Sequence, residues 1–174
     1  MRNAAFLAFA LLLMLLQANI HRVLGPLGIH GFTPSAVLAL VIFLGVHEPS
    51  MARGAILAFV IGHAEDLFAS APIGLFTFVY VGLFWLARLA GVRLTAQTVP
   101  TQMALAFGFS LLQSLVVLVL LVVFGADPLR PVELLTMVVP HSTATAIIAP
   151  FVFRIAERLH QTASAAPRSG EVAR

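Results

Sequence analysis

Six apolar runs, joined by short links of Gly, Pro and Arg, dominate the 174-residue chain. The runs cover about 4–20, 32–46, 52–68, 73–89, 103–124 and 132–153. A lipid interior offers no water to backbone N–H and C=O groups, so such runs must satisfy their own hydrogen bonds, and helices do this within one segment. With 60% hydrophobic and 10% charged residues, the chain is too apolar for a soluble domain of this size. The expectation is an all-α, polytopic membrane helix bundle: one helical domain over residues 1–156, then a polar tail over 157–174, disordered beyond a short helical extension.

Run length separates the spans. The first, Ala4 to Ile20, comes close to crossing a hydrocarbon core of about 30 Å at ~1.5 Å rise per residue. The second, Phe32 to Val46, is the shortest and reaches only about 22 Å, so it thins the bilayer, recruits flanking residues or fails to cross. Six or five spans follow from that one segment. The link from Ala69 to Pro72 is short enough to force spans three and four into an antiparallel hairpin.

Charge sets orientation. All ten basic residues are arginines. In a six-span arrangement with both termini cytoplasmic, Arg2, Arg53, Arg88, Arg93, Arg154, Arg158, Arg168 and Arg174 lie inside, and Arg22 and Arg130 outside. A five-span arrangement with the N-terminus outside exchanges Arg2 for Arg22 and keeps the same bias. Both place the tail in the cytoplasm and the Pro72 turn at the outer face. No aromatic–basic interleaving suggests a nucleic-acid surface, and without cysteine there is no thiol chemistry or disulfide.

The segment Gly54 to Gly74 carries the candidate functional residues. Gly54, Ala58, Gly62 and Asp66 recur every four residues, which places small side chains and one acid on a single helix face suited to close packing. His63, Glu65 and Asp66 form the one tight cluster of titratable groups. A metal or proton relay needs further ligands, and no HExxH-like pattern supplies them, so neither a metal nor a cofactor is expected. The favoured role for Asp66 is structural: bonding turn amides around Ala69 to Gly74, or capping span four. Glu65, Asp66, Pro72 and Gly74 thus stand as hairpin-structuring or partner-contacting residues.

Span four holds Phe76, Phe78, Tyr80, Phe84 and Trp85, which read as bulky lipid-facing packing. Gln113 and His141 fall near the middle of their spans, where an unpaired polar group is costly, and are expected to face the bundle interior. Pro140 is expected to kink span six, with the hydroxyls of Ser142 and Thr143 available to the freed backbone. No nucleophile elbow, phosphate loop, paired catalytic carboxylates or dinucleotide fingerprint occurs, so no catalytic residue is assigned.

The segment Pro34 to Arg88 resembles the bacterial rod shape-determining protein MreD family. It has an apolar span, a short Arg-containing link, a helix ending Gly62-His63-Ala64-Glu65-Asp66, then Pro72-Ile73-Gly74 opening the next helix. Ile73 replaces the usual leucine, and His63 and Glu65 stand where apolar residues are more familiar. The resemblance implies a non-catalytic subunit of the cell-elongation and peptidoglycan-synthesis machinery in the cytoplasmic membrane. It implies binding of an MreC-like protein and, directly or indirectly, of MreB, RodA and a penicillin-binding transpeptidase. The alternative from another class is the substrate-binding membrane component of an energy-coupling-factor importer, for which Ala4 and Ala8 mimic an Ala-x-x-x-Ala contact motif. That reading calls for a polar pocket at the outer face, where the 25–34 loop offers little beyond His30 and Thr33.

Overall fold

A computed structural model describes residues 2–24, 34–68, 72–91, 98–124 and 131–165, and every regular element among them is an α-helix. The six are α1 (Arg2–Leu24), α2 (Ala36–His47), α3 (Met51–Phe68), α4 (Leu75–Gly91), α5 (Val99–Phe124) and α6 (Pro131–Ala165). Within α5 and α6, Val99–Leu120 and Met137–Thr162 are long and apolar enough to cross a membrane. Large apolar side chains lie on the outside, among them Leu12, Ile56, Phe78, Val122 and Phe151, each at least 60% exposed. Such a surface suits hydrocarbon rather than water.

The shortest helix is the centre of the bundle. α2 has 12 residues, about 18 Å at the usual helical rise, and packs against all five other helices. Every residue from Ala36 to Gly45 is buried. The second run therefore fails to face lipid at all along these residues, which is why it needs no polar stripe and can be apolar all round. It ends at Glu48, whose extended backbone (φ −78°, ψ 119°) is what the following Pro49 favours. Ser50 then opens α3: its carbonyl accepts from Gly54 N at 3.0 Å and its hydroxyl from Arg53 N at 3.5 Å.

α4 lies against both α2 and α3 at backbone distance. A Cβ added to Gly45 would sit 2.6 Å from Ala87 Cβ and 2.9 Å from the Phe84 carbonyl oxygen. A Cβ on Gly62 would sit 2.7 Å from Thr77 Cα and 2.9 Å from the Phe76 carbonyl oxygen. Glycine at both positions is what lets these helices meet so closely. At the other end of the hairpin, Gly54 faces the Phe84 ring. These pairings run 54 to 84 and 62 to 77, so α3 and α4 are antiparallel.

The expectation for the aromatic residues of α4 is altered here. Of the aromatics in α4, Phe78 (68% exposed) and Trp85 (41%) face outward, but Tyr80 and Phe84 are fully buried and fill the space beside α2 and the α3 glycines. α6 runs unbroken through Pro140 and Pro150; the Thr143 hydroxyl donates to the Val139 carbonyl and the Thr145 hydroxyl to the His141 carbonyl at 2.9 Å. It continues to Ala165. Residues 166–174, and His30 and Thr33 of the first loop, lie outside the described residues.

Candidate functional site

The turn between α3 and α4 is built around one carboxylate. Asp66 Oδ1 accepts from Phe76 N at 2.8 Å, and Oδ2 accepts from Gly74 N at 3.0 Å, Thr77 N at 3.1 Å and Thr77 Oγ1 at 2.6 Å. A helix start leaves its first amides without intrahelical acceptors, and here three of those at and beside the start of α4 are met by a side chain from the preceding helix. The negative charge also sits at the positive end of the α4 dipole. Asp66 reaches them because it lies one turn beyond Gly62, where the two backbones touch, and it is only 3% exposed. Gly74 adopts φ +97°, a conformation open to glycine, and turns the chain into α4 after Pro72. The amides of Ala69 to Ala71 lie outside the described residues.

The cluster His63, Glu65, Asp66 does not come together. His63 is exposed and stacks on Phe59 with centroids 6.4 Å apart, while Glu65 and Asp66 are buried. Three residues advance a helix by about 300°, so His63 and Asp66 stand some 60° apart, and the edge of the α3–α4 contact falls between them. Among the described residues no group of three or more His, Cys, Asp and Glu side chains is placed to hold a metal ion.

Glu65 instead faces the bundle interior, 9% exposed, towards Tyr80. The Tyr80 hydroxyl also faces the side chains of Ser35 and Gln113, without hydrogen-bond geometry to either. Ser35 in turn donates its backbone N–H to Thr145 Oγ1 of α6 at 3.0 Å. Residues from the start of α2, the end of α3, α4, α5 and α6 thus meet at one polar locus inside an apolar bundle. Gln113 is 6% exposed, and His141 is partly exposed on α6. Ser110 and Ser142, each one turn from Gln113 and Thr145 on its own helix, are fully buried.

A second polar knot ties α2 to α4 at the other end. Arg88 donates from Nη1 to the Glu48 carbonyl at 2.6 Å and from Nη2 to the Pro49 carbonyl at 3.1 Å. Arg53 Nη1 approaches Glu48 Oε1 at 3.7 Å. Arg88 thereby supplies donors to carbonyls that the end of α2 leaves without helical partners.

Ser35, Glu48, Thr77, Tyr80 and Thr145 were not singled out by their spacing. Tyr80 carried the one available signal, as the sole tyrosine in the chain, yet its aromatic neighbours made it look lipid-facing. Ser35 and Thr145 meet across 110 residues, and no local pattern marks such a pair.

No curated protein and no solved structure matches the chain. The family of the rod shape-determining protein MreD matches residues 1–159, which take in all of α1 to α5 and most of α6. The match reaches far beyond the Asp66 hairpin into α1, α5 and α6, and on it the chain belongs to the rod shape-determining protein MreD family.

Proposed function

We propose that this chain is a non-catalytic, multi-pass subunit of the bacterial cell-elongation machinery in the cytoplasmic membrane, acting as a scaffold for an MreC-like protein. MreB, RodA and a penicillin-binding transpeptidase associate with it directly or through that partner. The observation that carries this reading is membership of the MreD family over residues 1–159, a family of rod shape determination. Two physical features accord with it. The α3–α4 hairpin is fastened by Asp66 and by backbone contact at Gly62, which holds the two helices together as one unit for docking. The outer surface is apolar over most of its helices, so contacts within the bilayer are available to single-span partners.

The proposed arrangement has six membrane-embedded helices with both termini cytoplasmic, α2 enclosed by the others, and Asp66 towards the outer face. Glu65, Asp66, Pro72 and Gly74 shape the hairpin, with Gly54, Ala58 and Gly62 as its packing stripe.

Affinity purification from the native host tests this. Recovery of an MreC-like protein with other elongation proteins is the expected result. Recovery of an ATPase-driven importer module in their place overturns it.

A further inference from the structure

Among the described residues, five buried oxygens on α3 to α6 have no hydrogen-bond partner: Glu65 Oε2, Tyr80 Oη, Ser110 Oγ, Gln113 Oε1 and Ser142 Oγ. All five side chains are at least nine-tenths buried. Unpaired polar groups are expensive in a protein interior and more so inside a bilayer, so five on helices α3 to α6, each packed against the next, call for an occupant. Tyr80 lies near Glu65 and Gln113; Ser110 precedes Gln113 by one turn of α5, and Ser142 precedes Thr145, which binds Ser35 beside Tyr80, by one turn of α6.

The chemistry of the set narrows the occupant. Every free atom is an oxygen, the Gln113 oxygen accepts only, and the hydroxyls can accept. Among the described residues, the charge acting on Glu65 is that of Asp66, which has the same sign and is already engaged by four donors. An ionised carboxylate in such a place needs a positive partner. A divalent ion normally takes several carboxylates. One carboxylate amid neutral oxygens matches a single positive charge.

We propose that Glu65, Tyr80, Ser110, Gln113 and Ser142 line an interior site for a monovalent cation, either sodium or a small organic ammonium, with Glu65 as its counterion. The site lies within the bundle on α3, α4, α5 and α6, at the end of α2 marked by Ser35. Its occupation ties these helices together and stabilises the folded chain. It is independent of which proteins the bundle binds.

The test uses the full-length chain purified in detergent. Thermal unfolding is followed in sodium chloride, methylammonium chloride and N-methyl-D-glucamine chloride at equal ionic strength, the last cation being too large to enter. The expected result is a midpoint that rises with sodium or methylammonium, on the order of 3 °C per tenfold above the dissociation constant, and stays flat with N-methyl-D-glucamine. A response to sodium assigns an inorganic ion; a response to methylammonium alone assigns an organic ammonium. Glu65→Gln abolishes the rise. Should that variant not fold, Tyr80→Phe and Ser110→Ala, each removing one oxygen, move the response to higher concentration. Identical midpoints in all three salts overturn the proposal, as does a rise that survives in Glu65→Gln.

Discussion

Asp66 on α3 accepts both the backbone N–H (3.1 Å) and the hydroxyl (2.6 Å) of Thr77 on α4, eleven residues away. One carboxylate thus performs the N-capping of a helix to which it does not belong, and the cap doubles as the fastening of a hairpin. Asp66→Ala removes acceptors from three buried or half-buried amides and one hydroxyl, so it exceeds a single cap deletion and costs about 2–4 kcal/mol. Thr77→Val loses only the hydroxyl bond and costs about 1–2 kcal/mol. Measured as denaturation midpoints in detergent, the double variant should be less destabilised than the sum, because both changes remove the same bond. Full additivity would show that the bond is not formed.

The glycines of α3 are not equivalent. At Gly62 an added methyl meets α4 backbone at 2.7–3.0 Å, which cannot yield without separating the helices, whereas at Gly54 it meets the tip of the Phe84 ring. Gly62→Ala is expected to cost about 1–3 kcal/mol and Gly54→Ala less. Gly82→Ala and Gly108→Ala, with nothing within 4 Å, should be neutral or stabilising through helix propensity. A thermal-melt series over the four variants checks the ranking, and equal effects at Gly62 and Gly82 would contradict backbone contact at the hairpin.

Arg88 bridges two carbonyls with the two arms of its guanidinium. Lysine presents a point charge that can serve one of them at a time, so Arg88→Lys should lose about 1 kcal/mol of stability while keeping the charge. Arg88→Leu should lose more, because the carbonyls of Glu48 and Pro49 are left without those donors. Proteolysis of the α2–α3 link is a sensitive readout, with faster cleavage expected in both variants.

Topology is testable without background, because the native chain has no cysteine. A cysteine introduced at Gly28 should react with a membrane-impermeant maleimide added outside intact cells, and one introduced at Ser169 should react only after lysis. Cytoplasmic labelling at Gly28 would favour five spans.

Helix existence was readable in the residues because apolar runs broken by Gly, Pro and Arg leave few alternatives in lipid. The boundaries shifted where neighbours decided them. α2 starts only at Ala36, behind Pro34 and the cap residue Ser35, and ends at His47 ahead of Pro49, while α6 outran its apolar stretch because nothing between Phe153 and Ala165 breaks a helix. The stripe of Gly54, Ala58, Gly62 and Asp66 could be read from a four-residue repeat. The partners of that stripe could not, since Thr77 and Phe84 carry no matching pattern.

The sequence by itself determined an all-helical, apolar chain, the hairpin forced by a short link, and an acid at its tip, all of which depend on residues near one another in the chain. Only the tertiary structure decided that the shortest run is the enclosed centre, that Tyr80 turns inward, and that Glu65 and Asp66, adjacent in sequence, have opposite circumstances. Asp66 meets the amides of α4, while Glu65 Oε2 faces an interior where no donor among the described residues meets it. The reason is geometric: consecutive helical residues diverge by about 100°, so which neighbour each side chain finds depends on how five other helices are placed around them.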